Sequence, residues 1–319
     1  MSDFDRPAGS LTLGSLLARL RGERGLLGRS RRASVWTLTE FGGEYGLRLV
    51  SNLILTRLLA PEVFGLMALA QVFLEAVRMS SDVGTQASVI RSERGDDEDF
   101  LRTAWTVQVI RGFLISAVGC LIAWPVSLAY DQPALFPVIC ALSLTSAFSG
   151  FFPISVNTAS RNLQLRELTL VRLLAKFVTV CVTILFAWML ESVWALVLGA
   201  LVGTILSLIG FYVVLPPFRH RFCLEREALR ELVRYGRWIL LGTLFGFLAT
   251  KGQQAIYGLL VPLGILGAIS IALLLATILP QLVSNLLRTV VFPAFSEIRR
   301  ERPQDLPRAL RRVRLAMML

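Results

Sequence analysis

Arg57-Leu58-Leu59-Ala60-Pro61-Glu62-Val63-Phe64-Gly65 is a short polar hinge between two long apolar runs, Ser34 to Leu59 and Phe64 to Met79. Leu259-Leu260-Val261-Pro262-Leu263-Gly264-Ile265-Leu266-Gly267 echoes it. In both copies a leucine pair precedes a proline by two positions, and glycine follows before a fresh apolar run. Proline inside a helix forfeits a backbone hydrogen bond, so each copy reads as a tight turn between two helices, with Arg57, Pro61 and Gly65 marking the first and Pro262 and Gly267 the second. The prolines stand 201 residues apart. That spacing is too long for a solenoid period and predicts two homologous halves.

Composition says where such halves would live. The 319 residues are 55% hydrophobic and 17% charged, with mean hydropathy +0.64. Soluble domains carry about 25% charged residues, so the chain reads as a polytopic membrane protein. The net charge is +11, and Lys176 and Lys251 are the only lysines. The arginines cluster between apolar runs, which argues for topology-setting charge and against nucleic acid as a partner. Cys120, Cys140, Cys181 and Cys223 lie singly, without CxxC spacing, and read as apolar packing residues.

Spans of about 20 apolar residues are expected near 36–59, 64–82, 104–124, 134–155, 171–190, 193–215, 237–260 and 264–287. A ninth starts near Val313, and the chain stops within it at Met317-Met318-Leu319, which reads as a truncated chain. Alternate connections carry Arg91, Arg94 and Arg102, then Arg161 and Arg166, then Arg219 to Arg234, then Arg299 to Arg312. The connections between them, at Pro61-Glu62, Ala129 to Pro133, Glu191-Ser192 and Pro262, carry no Lys or Arg. This asymmetry places the N-terminus in the cytoplasm. The fold expected is therefore an all-α polytopic membrane protein, a two-lobe helical transporter. A basic cytoplasmic tail (1–34) precedes a six-helix lobe (35–216). Then come an amphipathic cytoplasmic linker (217–236), with helical periodicity over Leu224 to Arg234, and a partial second lobe (237–319) of two helices and the start of a third.

Charges inside spans cost about 2.5–3.5 kcal/mol each on insertion scales, so each needs a reason. Glu40, Glu44 and Arg48 fall on one face of the first span, with Glu44 and Arg48 in the favourable order for an i,i+4 pair. They form either an ion pair sealing that helix against a neighbour or the wall of a water-filled cavity. Lys251 in the seventh span lies opposite position 50 once the 201-residue offset is removed, next to Arg48. Paired cations in a cavity suit an anionic group such as a pyrophosphate; the alternative is a structural bridge from Lys251 to Glu75. Arg111 and Lys176 are further cavity candidates, Asn52, Gln71 and Gln108 lesser ones, and Arg57 can snorkel at the hinge. Arg78, near an inner span end, needs little explanation. Trp36, Trp105, Trp124, Trp188, Trp194 and Trp238 fall near span ends, as an interfacial belt would. His220 is the single histidine and no GxxxxGK[ST] occurs, so neither a catalytic residue, a metal site nor a cofactor is expected.

Trp36, the stretch Arg57 to Leu66, Ser81-Asp82-Val83-Gly84 and Phe292-Pro293-Ala294-Phe295-Ser296 together resemble bacterial polysaccharide flippases of the multidrug/oligosaccharidyl-lipid/polysaccharide exporter superfamily, over residues 34 to 319. The resemblance implies two six-helix lobes alternating about a central cavity in the bacterial inner membrane. It implies a substrate, undecaprenyl-pyrophosphate-linked oligosaccharide for O-antigen or exopolysaccharide, handled among membrane lipids and other polysaccharide assembly proteins. The pyrophosphate-holding role transfers to Arg48 and Lys251, then to Arg111 and Lys176. A multidrug/cation antiporter of the same superfamily is one competing reading. A membrane-embedded polysaccharide polymerase or glycosyltransferase is another, although the outer loops offer only Glu62, Asp131 and Glu191.

Overall fold

A computed structural model of the chain describes residues 26–81, 85, 89, 92, 94, 97–161, 165–218, 221–230, 242, 245–247 and 251–286. Among these, every regular element is helical. Helices α1 (Leu26–Leu58) and α2 (Pro61–Ser80) flank the hinge. They are followed by α3 (Glu98–Ala129), α4 (Leu135–Gly150), a short α5 (Ser155–Arg161), α6 (Leu165–Leu190) and α7 (Val193–Val214). Helices α8 (Gly252–Leu260) and α9 (Leu263–Leu286) flank the echo.

Both hinges are turns of the expected kind. Ala60 is extended (φ −65°, ψ 149°) and Pro61 occupies the first turn of α2, where its missing N–H leaves no bond unmade. Val261 is likewise extended (φ −126°, ψ 150°) between α8 and α9. The two hinges also touch each other. A methyl group on Gly65 would overlap the Leu263 carbonyl and come within 3.2 Å of the Gly267 nitrogen. One on Gly267 would overlap the Pro61 carbonyl and lie 3.0 Å from the Gly65 nitrogen. Glycine is required here because backbone meets backbone, as in close-packed membrane helices.

The remaining contacts arrange α1, α6, α7, α4, α2 and α9 as a closed ring, each packed on the next and α9 returning to α1. Helix α3 backs this ring through α4, where Gly112 and Gly150 bring the two helices to backbone contact. The principal core joins Leu69, Leu74, Ile115, Leu135, Ile139 and Leu266 on the α2, α3, α4 and α9 side. Outward-facing apolar residues such as Leu121 (73% exposed), Trp188 (69%) and Val213 (76%) form the surface a bilayer would cover.

By length and composition, α2, α3, α6 and α7 can each cross a membrane, and α4 and α9 contain shorter apolar helices. Eight spans were expected. Helix α1 carries Glu40, Glu44 and Arg48, and positions 237–241, 243, 244 and 248–250 of span 237–260 lie outside the described residues, as do residues 1–25, the segment from 287 onward and Phe292 to Ser296. Helix α1 begins at Leu26, ten residues before the expected span and inside the stretch read as a tail. The span expected at 134–155 ends at Gly150, and a separate short helix starts at Ser155 after Pro153. Trp105 is 6% exposed and packs on Phe222 with ring centroids 5.2 Å apart, so it belongs to the core and not to an interfacial belt.

The described part of the linker is docked on the start of α3. The Cys223 and Glu225 N–H groups donate to Thr106 Oγ1 and Thr103 Oγ1 (3.1 Å each), and Ala228 is buried among Val89, Phe100, Leu101 and Ala104. Arg94 clamps both parts, reaching Asp97 Oδ2 at 2.6 Å and Glu225 Oε2 at 2.9 Å. Asp97 caps α3 by accepting from the Asp99 N–H. The Arg94 guanidinium, and next the Asp99 N–H, hold the Asp97 carboxyl below its usual range. Its stabilising contribution is therefore present above the unfolded carboxylate value, about 3.9, and is lost only as pH falls below that.

Two outcomes follow from these contacts. Gly65→Ala or Gly267→Ala should lower the unfolding midpoint of the purified protein, by the 1–3 kcal/mol or so typical of overpacking; an unchanged midpoint in both would show that the hinges do not meet at backbone distance. Glu225→Gln should speed tryptic cleavage at Arg226 and Arg230. In the unaltered protein that cleavage, corrected for the protease's own profile, should stay flat between about pH 5 and pH 8.

Candidate functional site

The ring encloses more space than its side chains fill. One chamber of about 1020 Å³ lies between α1, α2, α4, α6, α7, α8 and α9. A second of about 900 Å³ lies between α1, α3, α4, α5, α6 and α7. They share Arg78, Thr145, Lys176, Thr179, Ala200 and Thr204 as a common wall. The hinge residues sit at one end: Phe64 and Met67 line the larger chamber just below the Gly65–Gly267 contact. The Tyr130 hydroxyl closes the same end by donating to the Ala255 carbonyl at 2.8 Å.

Every cavity candidate reaches a chamber wall. Arg48, Glu75 and Lys251 line the larger one, Glu44 and Arg111 the smaller, and Lys176 both. Arg48 stands on the unbroken helix α1, whereas Lys251 occupies the turn that opens α8. Its carbonyl accepts from the Gln254 N–H at 3.0 Å, and Gln254 in turn binds Ser270 Oγ on α9 at 2.9 Å. The Asn52 carboxamide donates to the Arg48 carbonyl at 2.8 Å. Tyr45 donates to Gln281 at 2.6 Å, tying α1 to α9.

The alternatives left open on α1 resolve residue by residue. Glu40 is the sealing residue: it accepts from Arg172 at 2.6 Å and from Thr169 Oγ1 at 3.1 Å, fastening α1 to α6. Glu44 and Arg48 do not pair with each other; one faces each chamber. Glu75 lies 4.0 Å from Arg78, three residues on in its own helix, and no Lys251–Glu75 bridge occurs among the described residues. Gln108 is structural, its amide donating to the Gly150 and Phe152 carbonyls at 3.1 Å each and tying off the end of α4.

Arg78 is the residue that sequence reasoning passed over. It was read as an end-of-span charge, yet it stands between the chambers, donating to Ser146 Oγ at 3.0 Å and Thr145 Oγ1 at 2.7 Å. Arg111 stacks behind it, donating to the Arg78 carbonyl at 2.9 Å. The signals were available: Arg78 follows Glu75 by one helical turn, and hydroxyls at 143, 145, 146 and 149 interrupt an otherwise apolar span. Arg172 was missed too, for lack of any local partner in the sequence.

Among the described lining residues, Arg48, Arg78, Arg111, Arg172, Lys176 and Lys251 outnumber Glu40, Glu44 and Glu75 by six to three. Within a membrane such an excess is tolerable where water or an anionic ligand supplies the missing counter-charge. The arrangement can hold a polyvalent anion by several charge-assisted hydrogen bonds at once.

The family described as polysaccharide biosynthesis protein matches residues 54–319. The chain belongs to this family. Succinoglycan biosynthesis transport protein ExoT of Rhizobium meliloti (strain 1021) is 22% identical over 268 residues, 84% of this chain and 54% of that protein. Lipopolysaccharide biosynthesis protein WzxC of Escherichia coli (strain K12) is 21% identical over 254 residues, 79% of this chain and 51% of that one. The chain thus spans about half the length of these curated relatives. No solved structure gives a significant match. The family assignment agrees with the resemblance carried by the hinge and its flanking motifs. The match to the polysaccharide biosynthesis family begins at Ile54, so it covers the hinge and α2 to α9, while Glu44 and Arg48 lie before it.

The Glu40–Arg172 pair can be separated from the cavity cations by experiment. A double-mutant cycle with Glu40→Gln and Arg172→Met should return a coupling energy in unfolding of about 0.5–3 kcal/mol. The same cycle on Glu44 and Arg48 should return none.

Proposed function

We propose that the protein carries lipid-linked saccharide units across the bacterial cytoplasmic membrane by alternating access, and that the cavity cations hold the anionic diphosphate that joins lipid to sugar. The observation that carries this reading is the six-to-three excess of cationic over carboxylate side chains around the paired chambers. Arg48 and Lys251 face the larger chamber from the two halves, and Arg78 and Lys176 stand where both chambers meet. The apolar helices around them suit a multi-pass membrane protein. Membership of the polysaccharide biosynthesis family and the transport named for the Rhizobium relative point the same way. The cation excess also disfavours a drug/cation antiporter, whose ligand would meet net repulsion here. On this reading the chain moves its substrate and leaves it chemically unchanged.

The arginine distribution supports a topology with the N-terminus and the linker on the cytoplasmic side and the hinges outside. The Gly65–Gly267 contact and the Tyr130–Ala255 bond draw the hinge end together, which suits a cavity loaded from the cytoplasmic leaflet.

Arg48→Ala and Lys251→Ala should each cut polymer export at least about tenfold while the protein remains in the membrane, with lipid-linked units accumulating in the inner leaflet; a factor of ten corresponds to about 1.4 kcal/mol of lost binding. Normal export in both would remove the diphosphate-holding role. For orientation, a cysteine introduced at Asp131 should react with an impermeant thiol reagent from outside intact cells and one at Arg226 should not. The reverse pattern would invert the topology.

A further inference from the structure

Two of the lining arginines are held in different ways. Arg172 spends its charge on the Glu40 carboxylate at 2.6 Å. The Arg78 guanidinium is received instead by two hydroxyls of α4: Nε donates to Ser146 Oγ at 3.0 Å and Nη2 to Thr145 Oγ1 at 2.7 Å. Both hydroxyl residues are buried, Ser146 at 2% exposed and Thr145 at 6%. Thr145 commits its own proton to the Leu142 carbonyl at 2.6 Å, so toward Arg78 its oxygen can only accept. The α4 backbone is fixed at this level, because a methyl group on Gly112 of α3 would come within 2.6 Å of the Ser146 carbonyl oxygen. Arg111 holds the backbone of Arg78 itself, donating to its carbonyl at 2.9 Å.

A guanidinium carries its N–H groups in a fixed planar fork, and each edge of the fork can grip a pair of oxygens. Nε and Nη2 form the side-on edge of Arg78, and α4 takes both. Nη1 and the second Nη2 hydrogen form the end-on edge, which is turned away from α4. Glu75 Oε2 stands 4.0 Å from Nη1, beyond hydrogen-bond reach. The Arg78 side chain is 38% exposed and lines both chambers, so this edge meets open volume. Neutral acceptors fix the direction of a cation without supplying its counter-charge. A carboxylate in their place would leave an anionic ligand little to gain.

We infer that Thr145 and Ser146 are positioning residues for substrate binding: by taking the side-on edge of Arg78 they aim its end-on edge into the junction of the chambers, where it grips one phosphate group through two parallel N–H···O bonds. This rests on the flippase reading above and deepens it, adding two uncharged residues that act on the diphosphate only through Arg78.

The test is equilibrium binding of radiolabelled undecaprenyl diphosphate to the protein in nanodiscs. Thr145→Val combined with Ser146→Ala leaves every charge in place and should weaken binding about tenfold, as loss of a charge-assisted hydrogen bond would. Thr145→Ser keeps the acceptor and should bind severalfold tighter than Thr145→Val. In an Arg78→Met background the α4 pair of substitutions should cost nothing further, because no guanidinium is left to aim. Should the paired variant not reach the membrane, Ser146→Ala alone carries the same comparison in both backgrounds. Equal loss in the two backgrounds, no loss in either, or full affinity in Arg78→Met would overturn the positioning role. The flippase reading survives those results if Arg48→Ala and Lys251→Ala still lose the lipid. No binding by the unaltered protein would overturn that reading and this inference together.

Discussion

Backbone contact between the two hinges, at Gly65 and Gly267, is the constraint on which the ring of helices depends. A side chain at either glycine would push α2 and α9 apart by a carbon atom's width, and α9 is the helix that links α2 back to α1. Because α1 packs mainly on α6 and α2 mainly on α4 and α9, with α9 reaching both, contact between α1 and α2 themselves does not fill the space between them. The interior is therefore left open in a chain whose hydrophobic content would otherwise favour a filled core. Proline turns set the hairpins, glycines set their approach, and the cavity is the consequence.

That cavity gives the charges within the helices somewhere to stand. A lone cation among lipid tails would be expelled or paired, and the chain uses pairing where it needs cohesion: Glu40 with Arg172 between α1 and α6. Elsewhere it leaves cations facing open volume. Arg78 is held by two neutral hydroxyls on α4 and by a carboxylate at the edge of ion-pair distance, so its charge is oriented without being cancelled. Arg111 reinforces it through the Arg78 backbone carbonyl. The result is a positive patch placed where the two chambers meet.

The linker shows how an amphipathic pattern can be satisfied in more than one way. Its alternation of apolar and charged residues suits a membrane surface, but the described portion buries Ala228 against α3 and spends Glu225 on Arg94. Periodicity reports that one face is apolar and says nothing about what covers it. The same ambiguity misplaced Trp105: the Phe222 ring that packs on it comes from 117 residues downstream.

Hydrophobic runs of membrane length and prolines that must interrupt helices are local properties, so the all-helical membrane class and the positions of the two hinges were legible in the residues alone. The charges that need a cavity were legible for the same reason, since Arg48, Glu44, Glu75, Arg111, Lys176 and Lys251 are costly wherever the spans pack. Which of them would share a chamber was not, because that depends on the rotation of each helix about its axis and on partners more than a hundred residues away. Glu40 looked identical to Glu44 until Arg172 was brought beside it, and Arg78 looked incidental until the α4 hydroxyls surrounded it. The chain's order of residues determined a membrane bundle with paired hinges and cations within its helices. Packing decided which cations stay open to a ligand, because a charge is cancelled or exposed only by what stands within a few ångströms of it.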